Sequence, residues 1–266
     1  PSIYSNTYFG KSFTSPQRSW NTSVKVKYLG KKNSSKVLDY SPNLLDSVKR
    51  SQTDAIPFYG IDYWNVYEFS YLNSKNKPTL EALEIKISVD SDFAVESKSL
   101  KIYLASFYKR KFKNSINAYT LIERDLSKLT KSKVKVKRKT RYDSPPKSIK
   151  LNGLQEKIKK NKVLKFEGFR SICPVTAQPD WANIYIYSAS HSIDSIKINK
   201  LLKSFREKGD FHEACIDSIF LTLRDKFQIN DLTVYGRFLR RGGIDINPIR
   251  SSNKKIIFKN FRDFNQ

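Results

Sequence analysis

Methionine is absent from this chain of 266 residues, and cysteine occurs only twice. Two cysteines cannot build the disulfide framework of a small secreted domain, so the expected compartment is a reducing cytoplasm. No apolar run approaches the roughly 18 residues that a membrane-crossing helix needs. The opening stretch PSIYSNTYFGKS lacks the apolar centre of a secretory signal. Glycine is scarce, at 9 residues. None of it forms a G-x-G-x-x-G after a strand or a Walker loop, which argues against the usual dinucleotide-binding and P-loop folds. Acidic residues are the other shortage, 25 against 50 basic ones. Nothing in the sequence accounts for the missing methionine.

What is present suffices for a core. Hydrophobic residues make up 39% and aromatics 13%, which excludes global disorder. The length suits one large domain or two of about 100–150 residues. The net charge of +25 is unevenly spread: residues 98–165 hold 22 Lys and Arg against 4 Asp and Glu, leaving only +7 on the other 198 residues. Such a basic stretch points to nucleic acid, and a nucleic-acid-binding protein without catalysis is one reading. Lysine outnumbers arginine 36 to 14, alongside much Asn, Ile, Phe and Tyr. These residues share A/T-rich codons. Base composition and solvated surface therefore account for much of the charge, and no specific nucleic-acid partner is expected.

Residues 1–55 read as an irregular arm with one strand at 24–28. Structured signal begins at Ile56. Residues 65–72 (NVYEFSYL) are aromatic-rich and 83–89 (LEIKISV) alternate, so both read as strands, with Pro78 at the turn between them. Two helices follow. The first, 99–110, aligns Leu100, Tyr103, Leu104 and Phe107, and the second, 115–129, aligns Ile116, Tyr119, Ile122 and Leu126. Residues 134–137 give a strand with a Lys face, and Pro145-Pro146 with the lysines up to Lys165 reads as a connector. The second half repeats the pattern. It has a strand at 182–188 and a helix at 195–208 with Ile198, Leu201, Leu202 and Phe205 inward and Gly209 as C-terminal cap. A helix from an Asp210 N-cap to about Phe227 and a strand at 232–239 complete it. Ser106-Phe107…Phe112 recurs as Ser204-Phe205…Phe211 about 98 residues later. The expectation is a duplicated β-β-α-α-β unit. The segments are an arm (1–55), a first module (56–140), a basic connector (141–165) and a second module (166–266).

Several clusters carry chemistry. Cys173 precedes Pro174, which keeps it out of a helix, and Asp180 follows in the same stretch. A thiol beside a proton-carrying carboxyl is the minimum for covalent attack on an electrophilic carbon. A small buried thiol is the plainer reading, and it suits Cys215, on a helix face with Ile219 and Leu223, better. Asp210-Phe211-His212-Glu213 reads two ways. One is a capping box that ties Glu213 to the backbone. In the other, His212 and Glu213 face a pocket, where the carboxylate accepts hydrogen bonds from a purine-like N–H edge. Glu96-Ser97-Lys98-Ser99 opens a helix with serine caps, or offers an anion site of free N–H groups, hydroxyl and ammonium. Arg240-Arg241-Gly242-Gly243 is an ordinary turn, or one whose glycines let a phosphate approach while the guanidinium groups grip it. Cys173, His191, His212 and Cys215 are potential zinc ligands, but their spacing fits no familiar site, and no metal is expected.

Taken in order, these clusters resemble the NADPH-dependent 7-cyano-7-deazaguanine reductases, the nitrile reductases of queuosine biosynthesis, in their long two-module form. The matching stretches are PFYGIDYW from Pro57, YEFSYLN from Tyr67, ESKSLKIYL from Glu96, CPVT from Cys173 and QPDW from Gln178. Ser204-Phe205-Arg206, Phe211-His212-Glu213 and Arg240 to Pro248 complete the set, and coverage runs from about residue 40 to 252. The resemblance implies an α+β chain of tandem tunnelling-fold (T-fold) modules, antiparallel sheets with helices packed on one face, usually a homodimer. It implies that Cys173 adds to the nitrile of 7-cyano-7-deazaguanine to give a thioimide. Two hydrides from NADPH then yield 7-aminomethyl-7-deazaguanine for tRNA modification. Asp180 matches the proton-transfer residue, Glu96 and Glu213 the carboxylates that hold the deazaguanine ring, and His212 the adjacent site histidine. Val95, Glu96, Ser97, His212 and Glu213 match the substrate site, and Ser97, Lys98, Arg241 and Gly242 the NADPH contacts. The departures are Ile172 for a usual Asn, Tyr71 for a usual Trp, and Val48-Lys49-Arg50 without a proline. A third reading, another T-fold enzyme acting on a purine or pterin, would want a zinc set.

Overall fold

The computed structural model describes residues 27–28, 39–50, 58–151, 157–255 and 258–266. The strand expected at 24–28 lies outside these apart from Lys27 and Tyr28, as do Ile56 and Pro57. The described chain opens with β1 (Ser47–Lys49), β2 (Tyr59–Leu72), β3 (Pro78–Ser88), β4 (Phe93–Val95), α1 (Ser97–Ala105), α2 (Ser115–Thr130) and β5 (Lys135–Arg138). It continues through β6 (Ile149–Lys150), β7 (Lys157–Ile158), β8 (Lys162–Ile172), β9 (Pro179–Ser188) and β10 (Ile193–Asp194). It closes with α3 (Ser195–Lys203), α4 (His212–Asp225), β11 (Leu232–Phe238) and β12 (Ile244–Ser251).

One eight-stranded sheet runs β5-β3-β2-β12-β11-β9-β8-β6. Only the short β6–β8 pair in it is parallel. The chain is therefore α+β with an antiparallel-dominated sheet. The recurrence seen in the sequence is geometric as well. β5-β3-β2 and β11-β9-β8 have the same order, and β2 and β8 break register at equivalent places, Val66/Phe69 and Phe166/Phe169. Both strands end on a parallel bridge to the segment between their helices, Leu72 to Lys111 and Ile172 to Gly209. β12 joins the halves, pairing with β2 and with β11. Its Pro248 is tolerated because the ladder to β11 starts only at Ile249, so the missing N–H breaks no pair on that side.

Period-2 alternation gives the sheet two different faces. On one, α3 and α4 cover Leu164, Phe169, Ile184 and Ile186, and α1 and α2 cover Trp64, Val66, Leu83 and Ile85. The other face carries Tyr63, Tyr185, Tyr235 and Ile249, packed on Phe258 and Phe261 from the last segment of the chain. Asp263 of that segment accepts hydrogen bonds from Asn183 (2.7 Å), Tyr185 (2.7 Å) and Lys165 (3.0 Å). Burial pushes its carboxyl up, but these three partners outweigh burial and leave it below the ordinary range. Their contribution is present above that range and is lost as pH falls through it. Asp263→Ala should cost about 1–3 kcal/mol in urea unfolding at neutral pH, because it strands buried donors. The cost should shrink in acid; a pH-independent cost would mean that only packing is lost.

Several sequence expectations are corrected. α1 and α3 stop at Ala105 and Lys203, short of 110 and 208. In both, the next residue is a serine whose hydroxyl donates back into the last turn, Ser106 to Tyr103 O (2.6 Å) and Ser204 to Leu201 O (2.7 Å). Ser204, not Gly209, caps α3. Ile116 is 68% exposed. The buried arc of α2 runs through Ala118, Tyr119, Ile122, Asp125 and Leu126, and position 116 lies off it. β8 and β12 were not expected as strands. The basic run is only partly a solvated face. Lys137 and Lys139 reach the buried Glu84 at 3.1 and 3.0 Å, and Arg138 reaches Glu81 at 3.6 Å. Burial raises the Glu84 carboxyl, but Asn260, Lys139 and Lys137 hold it at about 2.

Candidate active site

The halves meet on the helix side of β12, around a cavity of about 200 Å³. Trp64 of β2 and Ile244 and Ile246 of β12 form its apolar floor. Its walls are the first turn of α1, the loop between β8 and β9, the first turn of α4, and Arg241. Two helix N-termini thus converge on one space, each bringing the positive end of its dipole.

Cys173 opens the β8–β9 loop. Its N–H donates to Gln178 O (2.8 Å) and its carbonyl accepts from Ala177 N (3.0 Å). Ala177 completes the turn in the left-handed region at φ 54. Cys173 is half-buried on the cavity wall. Cys215 is fully buried in the core, and burial pushes its thiol well up.

Asp180 is held from two sides. The Arg241 guanidinium donates to it and to Gln178, and His212 Nε2 lies 3.5 Å from its carboxylate. The imidazole is set edge-on against Phe238, with centroids 4.2 Å apart. Burial pushes the Asp180 carboxyl up, but His212 and Arg241 outweigh it, and the net shift is downward. Asp180 is thus a carboxylate held between the Arg241 guanidinium and the His212 imidazole.

The two glutamates exchange the parts that helix-capping logic suggested. Glu96 is the N-cap of α1, accepting from Lys98 N and Ser99 N at 2.7 Å each. It is buried beside the cavity rather than on its wall. The capping box expected at Asp210 and Glu213 does not form. Phe211, in extended conformation, takes the cap position of α4 without any side-chain cap bond. Asp210, one residue too early, accepts from Phe211 N (3.1 Å). Glu213 is therefore spared from capping and lines the cavity. Behind it Arg250 donates to Asp62 (2.7 Å) and Asp217 (2.5 Å), and Arg50 also donates to Asp62. Burial, then the Asp62 charge, push the Glu213 carboxyl up, against the pull of Arg50 and His212.

Ser97, Lys98 and Val95 line the cavity, and Lys98 Nζ also donates to Tyr28 O at 2.8 Å. Gly242 lies beside it at φ 58, where a Cβ would come within 3.3 Å of the Lys101 side chain. Of the expected site residues, the cavity therefore gathers Cys173, Asp180, His212, Val95, Ser97, Lys98, Glu213 and Arg241, with Glu96 and Gly242 adjoining it. Sequence reasoning missed Trp64, Asp210 and Lys101 as cavity residues. Lys101 was within reach, since it lies one turn after Lys98 on the same helix face. Burial, then the Arg241 charge, lower its ammonium pKa, while Glu96, Asp180 and Cys173 oppose them.

Among the described residues no group of three His, Cys, Asp or Glu side chains is placed to hold a metal ion. His191 instead pairs with Asp231 at 2.7 Å. No described helix is long and apolar enough to cross a membrane.

Residues 37–138 match the family described as "Nitrile reductase, 7-cyano-7-deazaguanine-reductase N-term", and 179–256 match the one described as "QueF-like protein". Curated relatives bear the name NADPH-dependent 7-cyano-7-deazaguanine reductase. The protein of Coxiella burnetii (strain RSA 331 / Henzerling II) is 34% identical over 259 residues, covering 86% of this chain and 92% of its own. That of Buchnera aphidicola subsp. Schizaphis graminum (strain Sg) is 36% identical over 222 residues, covering 74% and 84%. That of Hahella chejuensis (strain KCTC 2396) is 33% identical over 255 residues, covering 84% and 92%. With both halves matched in order and relatives aligned along most of their length, the chain belongs to the NADPH-dependent 7-cyano-7-deazaguanine reductases.

Proposed function

We propose that this chain reduces the nitrile of 7-cyano-7-deazaguanine to the primary amine with NADPH, through a covalent bond to Cys173. The observation that carries this reading is the half-buried Cys173 thiol on a cavity wall shared with Asp180, His212 and Glu213. Glu213 offers its carboxyl to the N–H groups of the deazaguanine ring, above the flat indole of Trp64. The Cys173 sulfur bonds to the nitrile carbon, one C–N π pair moves onto nitrogen, and nitrogen takes a proton, leaving a thioimide. Two molecules of NADPH, bound in turn, would supply the two hydrides, one each, that carry this carbon to the amine. Asp180, ionised, orients His212 and stabilises its charged form, so that the pair carries protons to the nitrogen.

The residues present fit a phosphate-rich cofactor. Lys98, Lys101 and Arg241 put three cations at one cavity, next to the positive-φ turn of Gly242 and Gly243. Tandem T-fold modules at 56–140 and 166–266, joined by the connector at 141–165 and paired as a homodimer in the cytoplasm, complete the reading. The recurring strand order and matched register breaks support the duplication.

The test is incubation with 7-cyano-7-deazaguanine without NADPH, followed by peptide mass analysis. A substrate-sized adduct on Cys173 is expected; its absence would sink the covalent route. Arg241→Ala should raise KM for NADPH by roughly 10- to 100-fold, the worth of a charged hydrogen bond. KM for the nitrile should move far less, and the preference over NADH should fall. Equal effects on both substrates would make Arg241 a residue that merely holds Asp180 and Gln178.

A further inference from the structure

The two surfaces assigned to the deazaguanine ring come from different halves of the chain. Glu213 stands in the first turn of α4, and Trp64 lies on β2. A flat ring is gripped by both only if the gap between them is held to about 0.5 Å. Arg250 spans that gap. Its Nε donates to Asp217, and its Nη1 donates to Asp62 at 2.7 Å. Asp217 lies one helical turn after Glu213, on the same face of α4. Asp62 lies two residues before Trp64, on the same face of β2. One guanidinium therefore ties the stretch that carries the carboxyl to the stretch that carries the indole. Arg250 itself is on β12, four residues after Ile246 of the cavity floor and on the same side of the sheet.

The tie is built into the core. Arg250, Asp62 and Asp217 are each 0% exposed. Gly60, two residues before Asp62 on the same face of β2, leaves the room that the Arg250 side chain needs. A Cβ there would stand 2.9 Å from Arg250 Cδ and 2.5 Å from the Ile249 carbonyl oxygen. Arg50 also donates to Asp62, and its Nε donates to Ser91 at 3.0 Å. The network is thus balanced within itself, two guanidinium groups against two carboxylates, and Glu213 is not needed to complete it. Burying such charges is expensive, and well-packed apolar side chains would hold a core together at least as well. What the ions add is direction. A planar guanidinium meets carboxylates only along the fixed lines of its fork, so both partners are held in place as well as in contact.

Resting on the reading of Glu213 as the group that holds the ring, we propose that Arg250 is a positioning residue for substrate binding. By bridging Asp217 and Asp62 it fixes the Glu213 carboxyl over the indole of Trp64. It acts through Glu213 and makes no contact with the ring itself.

The test is a double-mutant cycle on nitrile binding. Kd for 7-cyano-7-deazaguanine is measured by calorimetry in a Cys173→Ala background, so that no covalent bond contributes. The variants are Arg250→Lys, Glu213→Ala and the two together, with urea unfolding to show that each is folded. Lysine keeps a charge between Asp62 and Asp217, but one ammonium cannot reproduce the fork. Asp217→Ala, which cuts the tie at the helix and leaves Arg250 on Asp62, goes through the same cycle and serves if Arg250→Lys does not fold. Either change alone should weaken the nitrile by about 10-fold or more, as a small misplacement of a binding group does. With Glu213→Ala present the same change should cost about 2-fold or less, because no group is left to position. In the chain that keeps Cys173, KM for NADPH should stay within about 2-fold of wild type, since the cations assigned to the cofactor stand on α1 and on the turn before β12. Equal losses with and without Glu213 would overturn the proposal and make Arg250 a residue of the core alone. An unchanged Kd in either folded variant would overturn it too, as would a KM for NADPH that rises in step with Kd. If Glu213→Ala by itself leaves Kd unchanged, the reading of Glu213 falls, and the positioning role falls with it.

Discussion

Replacing Cys173 by alanine is expected to abolish both turnover and covalent capture of the nitrile while leaving the fold intact. Among the described residues the Cys173 sulfur is the thiol on the cavity wall, the soft nucleophile that a nitrile carbon requires, and its removal takes the covalent bond with it. The loop is held through backbone groups, Cys173 N on Gln178 O and Ala177 N on Cys173 O, and these survive truncation of the side chain. Cys215→Ala should behave in the opposite way. It removes a fully buried atom from the core around Ile216, Ile219 and Phe220, so roughly 1–2 kcal/mol of stability should go and activity should stay. NADPH consumption, intact mass and urea unfolding of both variants separate the two roles. Wild-type NADPH consumption by Cys173→Ala in the presence of the nitrile would show that the covalent mechanism is wrong.

Glu213→Gln should weaken nitrile binding by about 1–3 kcal/mol, or roughly 5- to 150-fold in Kd. The amide loses the charge and turns one acceptor into a donor facing the ring N–H groups. Stability should move the other way. The folded-state carboxyl is raised by burial and by Asp62, so the folded chain holds its proton above the ordinary carboxylate range. Ionising it as pH rises costs folding free energy, and the neutral amide escapes that cost. The cap position of α4 belongs to Phe211, so the substitution leaves it unchanged. At neutral pH the variant should therefore bind worse yet melt no lower. A lower melting temperature with unchanged affinity would make Glu213 structural.

Local signals were legible in the sequence, and long-range ones were not. Helix stripes such as Leu100, Tyr103 and Leu104, and the alternation in β3 and β9, depend on residues a few positions apart. So does the closeness of Cys173 to Asp180, since one tight hairpin loop joins them. The recurrence was visible because both halves carry the same local devices, down to the serines that end α1 and α3. β8 and β12 were hidden because their polar heads find partners far along the chain. Lys165 reaches Asp263, and Arg250 reaches Asp62 and Asp217. Composition shows such residues only as charge, and whether a charge is solvated or buried in a pair is a tertiary matter.

The sequence by itself determined that two α+β repeats carry a cysteine, a histidine, two glutamates and a basic turn in a family-specific order. Only the tertiary structure decided which glutamate caps a helix and which stays free, because the start of α4 is displaced by one residue by the tie between Asp210 and Ile172. It also decided that Arg241 grips Asp180 across 61 residues of chain. That contact exists because β11 pairs with β9, which sets the turn after Phe238 beside Asp180, and no local pattern encodes which strand will find which neighbour.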